Sequence, residues 1–404
     1  MTTTTTSPNR RYGAVSAVLF LCLFAGQAGA IALSPVLAEI ARDFDISTAA
    51  AGQLRTIAGL VAGITALALG RLGAGVALGR QLLGGAILLA LGSVASAAAP
   101  SIGLLAAAQV PVGGGIAILA TAGTLAAAEW VPPERRAATL SWALIGQPAA
   151  WIVGMPLLGA VGECGWRQAW LAFPLGAALV AAAAVARRST APRTSTPDVP
   201  LRAALEAPGV ARWLAAELLA NTAWAGTLVY SGALFVESYG ASTVLSGVVL
   251  AVGAGAYVAG NLALRRFADG EPRRLLFGLA LALAGTTALF GAFRPSLVAS
   301  TVLFSAAAFA AGGRTFLSSA FGLAVAPEMR PATVAMRAAS IQLGYFTGSL
   351  AAGAALVVGG YPAFGGTVAA LFLWAAALLG APTRPRRHAR ARSHLIVCGS
   401  DAAA

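Results

Sequence analysis

Apolar residues fall in long runs along this chain, and polar residues gather in the short gaps between them. Twelve such runs can be laid out, at 13–38, 48–70, 81–99, 102–128, 137–161, 167–186, 209–236, 243–264, 275–293, 296–324, 332–358 and 362–381. Each is long enough to cross a hydrocarbon core of about 30 Å as a tilted helix. Lipid satisfies no backbone polar group, so only helices and closed barrels span it, and these runs are too long for barrel strands. The pattern predicts an all-α membrane protein with twelve transmembrane helices. The first run follows Arg10-Arg11 as a signal peptide would. Its apolar length exceeds that of a signal peptide and eleven more runs follow, which predicts a retained helix.

The polar gaps predict the domain layout. Residues 188–208 form the longest polar segment between runs, and Pro192, Pro197, Pro200 and Pro208 oppose continuous helix there. The expected organisation is a disordered N-terminus (1–12), an N-terminal six-helix bundle (13–187), a linker (188–208), a C-terminal six-helix bundle (209–381) and an Arg-rich tail (382–404). A repeat supports the division. VPPERRAATL at 131–140 returns as VAPEMRPATV at 325–334, an offset of 194. Close to that offset Gly52 meets Gly247, Arg80 meets Arg274, Gly154 meets Gly348, and Gly165-Trp166 meets Gly360-Tyr361. Register held from first loop to last predicts two pseudo-symmetric halves related by parallel duplication, an architecture of transporters that bind substrate between the halves.

Composition agrees with this reading and charge orients it. The 404 residues are 58% hydrophobic and 10% charged, against about 25% charged in soluble proteins. All 27 basic residues are arginine, which gives a net charge of +13. With the N-terminus placed in the cytoplasm, 20 of the 27 fall in cytoplasmic segments and three, Arg42, Arg167 and Arg294, in outer loops. The asymmetry predicts a multi-pass protein of the cell inner (plasma) membrane with both termini cytoplasmic. Arginines spread over such gaps do not track a phosphate backbone, so no nucleic-acid partner is expected. Cys22, Cys164 and Cys398 are scattered, and both histidines, His388 and His394, lie in the tail. No metal, cofactor or catalytic constellation follows, and the chain is not expected to be an enzyme. Without lysine there is no phosphate-binding Gly-x-x-x-x-Gly-Lys loop, so ATP drive is not expected either.

Three stretches resemble the major facilitator superfamily, and within it the twelve-helix drug:proton antiporter group of bacterial efflux permeases. Glu129–Arg136 (EWVPPERR) is similar to the acidic loop between that family's fourth and fifth helices. Gly146 through Gly159, ending GMPLLG, resembles a relaxed form of the Gly/Pro motif of the exporters' fifth helix. Gly165-Trp166-Arg167 resembles the start of its sixth helix. The resemblance spans residues 10–382 and implies the major facilitator fold. Two departures stand out: Ala74 replaces the aspartate of the loop between helices 2 and 3, and Gln109 stands where many relatives carry an arginine. Coupling chemistry must therefore be sought in other residues.

The candidates follow from position. Pro133 and Pro327 suit first helical turns, Glu134 and Glu328 suit the positive end of the helix dipole, and Arg136 and Arg330 suit the headgroup level. They read either as topological anchors or as paired cytoplasmic latches that break when the halves rock. Gly146, Pro148, Gly154, Pro156 and Gly159 permit close packing and kinking of the fifth helix, which the resemblance places between the halves. Ionisable residues inside spans are costly and are candidates by default. Arg212 and Arg337 are expected to snorkel, and Arg55 to face Glu39, Asp43 or Asp45. Glu217 and Arg314 lie at matching depths, roughly 12 and 15 Å from the cytoplasmic ends of their helices, on helices that border the family's cavity. They read as a coupling pair or as a permanent ion pair.

Cavity candidates are Gln27, Trp151, Asn221, Trp224, Tyr230, Gln342 and Tyr345, with Gln27 and Asn221 related by the repeat. One acid among amides and aromatics suits a neutral or weakly charged organic molecule. The expected partners are a small-molecule substrate, a proton as coupling ion and the lipid bilayer, with the protein working as a monomer. The expected function is proton-coupled export of a small hydrophobic or amphiphilic compound by alternating access. The alternative is an importer or uniporter of a metabolite, which the scarcity of membrane acids favours.

Overall fold

The structure, a computed structural model, describes residues 8–72, 76–186, 201–267, 272–323 and 329–380. Every regular element among the described residues is helical. The C-terminal tail, residue 187 and residues 188–200 of the linker lie outside them.

Prolines decide where the crossings bend. The first crossing is two helices, α1 (Pro8–Ile31) and α2 (Leu33–Asp43). It begins inside the stretch expected to be disordered, with Pro8 at a position that needs no amide donor. Pro35 cannot bond back to Ile31, and the turn between the two helices falls there. α3 (Thr48–Leu72), α4 (Leu78–Ala98) and α5 (Ile102–Glu129) are the next three crossings. The fifth is again divided, into α6 (Pro133–Leu144) and α7 (Gly146–Cys164). Pro148 withholds the amide that would bond Leu144, and the helix breaks at Ile145. Pro174 has the same effect in the sixth, where a π-helical turn joins α8 (Trp166–Trp170) to α9 (Gly176–Ala186). A short helix, α10 (Leu201–Glu206), stands in the linker between Pro200 and Pro208.

The second half runs α11 (Val210–Tyr239), α12 (Thr243–Ala263), α13 (Pro272–Ala292), α14 (Leu297–Leu323) and α15 (Arg330–Gly380). α15 holds two crossings that break at Gly359–Gly360, where Gly360 takes φ +63°. Gly165 occupies the repeat-related turn and takes φ +142°, so both turns use backbone that only glycine adopts freely. The twelve crossings return the chain to the face on which it began. We call this the terminal face and the other the distal face.

The halves meet most extensively where α2 packs on α11, α7 on α12, and α3 on the first arm of α15. α11 sits at the centre. Its residues from Ala220 to Val236 are buried on every side, which shields its Asn221, Thr222, Thr227 and Ser231 from lipid. On the periphery Leu91, Val302, Val358 and Trp374 stay exposed, as lipid-facing residues should.

Candidate functional site

At mid-depth in the C-terminal half, Glu217 of α11 is held between two arginines. It accepts a hydrogen bond from Arg314 of α14, and its other oxygen lies 3.1 Å from Nε of Arg337 on α15. Both Glu217 and Arg314 are almost fully buried. Asn221, one turn along α11, accepts from Arg314 at 3.0 Å and donates to Ser340 at 3.3 Å. Arg337 also donates to the Thr315 carbonyl at 3.1 Å. Arg337 was expected at headgroup level; it turns inward because Ser340, Gly344 and Gly348 bring its helix face against α11. Gly344 packs on Asn221 and Gly348 on Thr222 closely enough that a Cβ on either would collide. Asn221, one of the cavity candidates, thus joins the ion cluster.

Across the divide, Arg55 of α3 does not face Glu39, Asp43 or Asp45. Asp43 is bound to Arg167 at 2.7 Å and to the Trp166 indole at 3.1 Å, and Glu39 is paired with Arg42 at 3.1 Å. Arg55 instead runs inward, 2% exposed, with its guanidinium 4.1 Å above the ring of Tyr345. None of its three nitrogens completes a well-formed hydrogen bond among the described residues, and the Tyr345 hydroxyl gives it a loose polar contact. Burying an ion costs several kcal/mol. A desolvated cation–π contact returns about 2 kcal/mol of that, so the ring offsets only part of the cost.

Gln27 lies beside the Tyr345 hydroxyl. Tyr257 of α12, which has no special mark in the sequence, stacks between Trp151 of α7 at 6.0 Å and Trp224 of α11 at 6.3 Å. Tyr257 also lies within electrostatic range of Tyr345, Arg314, Arg337 and Glu217. Gln27, Trp151, Tyr257, Gln342 and Tyr345 stay partly exposed. The small cavity that touches Glu217 and Arg314 is lined by α11, α13, α14 and the second arm of α15, within the C-terminal half.

Tyr230, expected in the cavity, is fully buried at the seam nearer the distal face. Its hydroxyl lies 3.1 Å from the Ser349 carbonyl and 3.3 Å from that of Ala49, and accepts from the Gln53 amide at 3.3 Å. Gly52 and Gly353 leave room for that hydroxyl, which a Cβ on either would strike. Farther out, the seam is closed by carboxylates reaching across it. Glu39 of α2 accepts from Thr243 at the start of α12 at 2.7 Å, and Glu163 of α7 accepts from the Val244 amide at 3.3 Å. In return Glu237 of α11 accepts from Thr48 at the start of α3, and from Tyr361 at 2.8 Å. Thr48 and Thr243 are 195 residues apart, as are Trp166 and Tyr361. That register was the available signal for these gate residues.

The fifth crossing only partly meets its expected placement. Gly159 lies between the halves, with Thr243 and Gly247 of α12 against it. Gly146 and Gly154 pack inside the N-terminal half, on Phe20 and on Phe173. Pro148 breaks the helix, whereas Pro156 sits within α7. At the terminal face Glu134 occupies the first turn of α6, and both Glu134 and Arg136 are exposed. Arg330 begins α15, and Glu328 lies outside the described residues.

Comparisons with known proteins agree with this architecture. The sequence profile of the Major Facilitator Superfamily matches residues 19–316. No curated protein matches the chain. Among solved structures, a bacterial homologue of the human lysosomal transporter Spinster, inward-facing and occupied, is similar at TM-score 0.74 and 18% identity, over 93% of this chain and 97% of that one. The inward-facing, unoccupied form gives TM-score 0.69 at 16% identity, over 93% and 95%. A D-xylose–proton symporter gives TM-score 0.75 at 14% identity, over 92% and 98%. At these identities the likeness is one of fold. The profile match covers most of the chain and the same fold recurs in those transporters: this chain belongs to the Major Facilitator Superfamily and is a multi-pass membrane transporter.

Proposed function

We propose that the chain is a proton-coupled secondary transporter that exports a small amphiphilic organic compound by alternating access. The observation that carries this reading is Glu217, a buried mid-depth carboxylate between Arg314 and Arg337. A carboxylate there can give up its guanidinium contacts on taking a proton, which links protonation to the arrangement of α11, α14 and α15. The arginine bias puts the terminal face in the cytoplasm. On that orientation the sealed distal face and the exposed Glu134 and Arg136 describe an inward-open state. The cytoplasmic latch then belongs to the opposite state. Export is favoured by the Gly/Pro pattern of the fifth crossing and the tight Gly159–Gly247 seam. Import or uniport is the second reading, since Glu217 is the one acid in the middle of a span.

Proteoliposomes carrying a pH gradient test the proposal. Adding substrate should move protons opposite to substrate, and Glu217→Gln should abolish the proton flux. Parallel movement would replace export by symport. Full coupled transport by Glu217→Gln would remove Glu217 from the mechanism.

A further inference from the structure

We infer that the central cavity takes an organic anion, its acidic head seated on Arg55 and its aromatic or apolar body against Trp151 and Tyr257. This rests on reading the cavity as the transport site and adds the charge of what it carries. The sequence alone suggested a neutral or weakly charged molecule, and the inference gives it a definite negative charge.

The first ground is the balance of charge. Among the described residues the interior holds three guanidiniums, those of Arg55, Arg314 and Arg337, against the single carboxylate of Glu217. Both oxygens of Glu217 are engaged by Arg314 and Arg337. Arg55 is left with its full charge. A guanidinium stays protonated and offers five donors in a flat fork that fits a carboxylate or phosphate.

The second ground is that Arg55 is built in. It is 2% exposed, its nitrogens complete no well-formed hydrogen bond among the described residues, and the ring of Tyr345 lies beneath it. Gly59 lets α3 approach the Tyr345–Phe346 backbone so closely that a Cβ would clash, which fixes the ring under the guanidinium. Of the acids near it in sequence, Asp43 is committed to Arg167 and Glu39 to Arg42 and Thr243 at the distal face. A cationic substrate would add a fourth positive charge, and a neutral one would leave the donors of Arg55 unmatched. An anion answers both. The stacked Trp151–Tyr257 pair offers a flat apolar surface for the rest of the molecule.

The test compares matched skeletons on the purified full-length protein in detergent. Benzoate, 2-naphthoate and phenyl phosphate are set against benzamide, 2-naphthamide and benzylamine, by thermal shift and by calorimetric titration. At least one anion is expected to bind tenfold or more tightly than its neutral and cationic counterparts. Arg55→Gln should erase that preference, and Arg55→Lys should keep it in weaker form, with both variants monodisperse on gel filtration. Should Arg55→Gln fail to fold, the wild-type preference and Arg55→Lys still decide. Absence of any preference for an anion overturns the inference, and so does a preference that survives Arg55→Gln. Counterflow in proteoliposomes separates the two layers. A bound anion that does not exchange would sink the transport reading and leave the site. Exchange confined to neutral or cationic compounds would sink the anion assignment and leave the transport reading.

Discussion

A carboxylate between two guanidiniums has a freedom that a simple ion pair lacks, because it can let go of one partner while keeping the other. Glu217 is placed in this way, and Asn221 steadies the stronger partner by accepting from Arg314. Tyr230 illustrates the opposite case, a polar tip with its neighbours fixed by the backbone around it. Its hydroxyl joins α3, α11 and α15 through contacts with Ala49, Gln53 and Ser349. A hydrogen bond contributes about 1 kcal/mol net. Tyr230→Phe is therefore expected to loosen the distal seam and move the conformational equilibrium roughly fivefold toward opening there. Modification of a single cysteine introduced at Gln53 would report it, and an unchanged labelling rate would deny Tyr230 this role.

At the scale of elements, prolines and glycines shape the crossings. Pro35, Pro148 and Pro174 each interrupt a crossing of the N-terminal half, one residue type acting through one missing amide. The α7–α12 seam depends on absent side chains. A Cβ at Gly159 would sit 2.6 Å from the Thr243 carbonyl, and one at Gly247 would sit 2.4 Å from that of Met155. Gly159→Val is expected to hold the helices apart at a cost of about 1–3 kcal/mol, as overpacking does. Transport should fall steeply while Gly154→Ala, inside one half, mainly lowers the melting temperature. Equal loss of transport in the two variants, at equal stability, would contradict an interface role for Gly159.

Over the whole molecule, the two halves exchange carboxylates at the distal face. Glu39 reaches from the N-terminal half to Thr243, and Glu237 reaches back to Thr48. Each threonine begins a helix, where the dipole favours a negative charge. The reciprocity makes the gate two equivalent clasps on one hinge. Removing both, as Glu39→Ala with Glu237→Ala, should open the distal face more than either alone. Spin labels at Asp45 and Gly240 would show a longer distance population in the double variant. An unchanged distribution would mean that the glycine seam closes the gate unaided.

Much of this was legible in the chain itself. Twelve apolar runs, the 194-residue repeat and the arginine bias required only local pattern, because lipid imposes helices and length on any spanning segment. The Glu217–Arg314 contact was legible from depth, since two buried charges at one level seek each other. Other assignments needed packing. Arg337 and Arg212 look alike along the sequence, yet a stripe of Ser340, Gly344 and Gly348 carries Arg337 into the centre. Tyr230 and Tyr345 are equally aromatic, yet one closes the seam and the other lies under Arg55. Tyr257 gains its place only from the two tryptophans that flank it. Sequence by itself determined the solvent, the number of crossings and their kinship. The tertiary structure alone decided which charges face one another, because helix rotation and close approach are set by side chains on neighbouring helices that no local pattern contains.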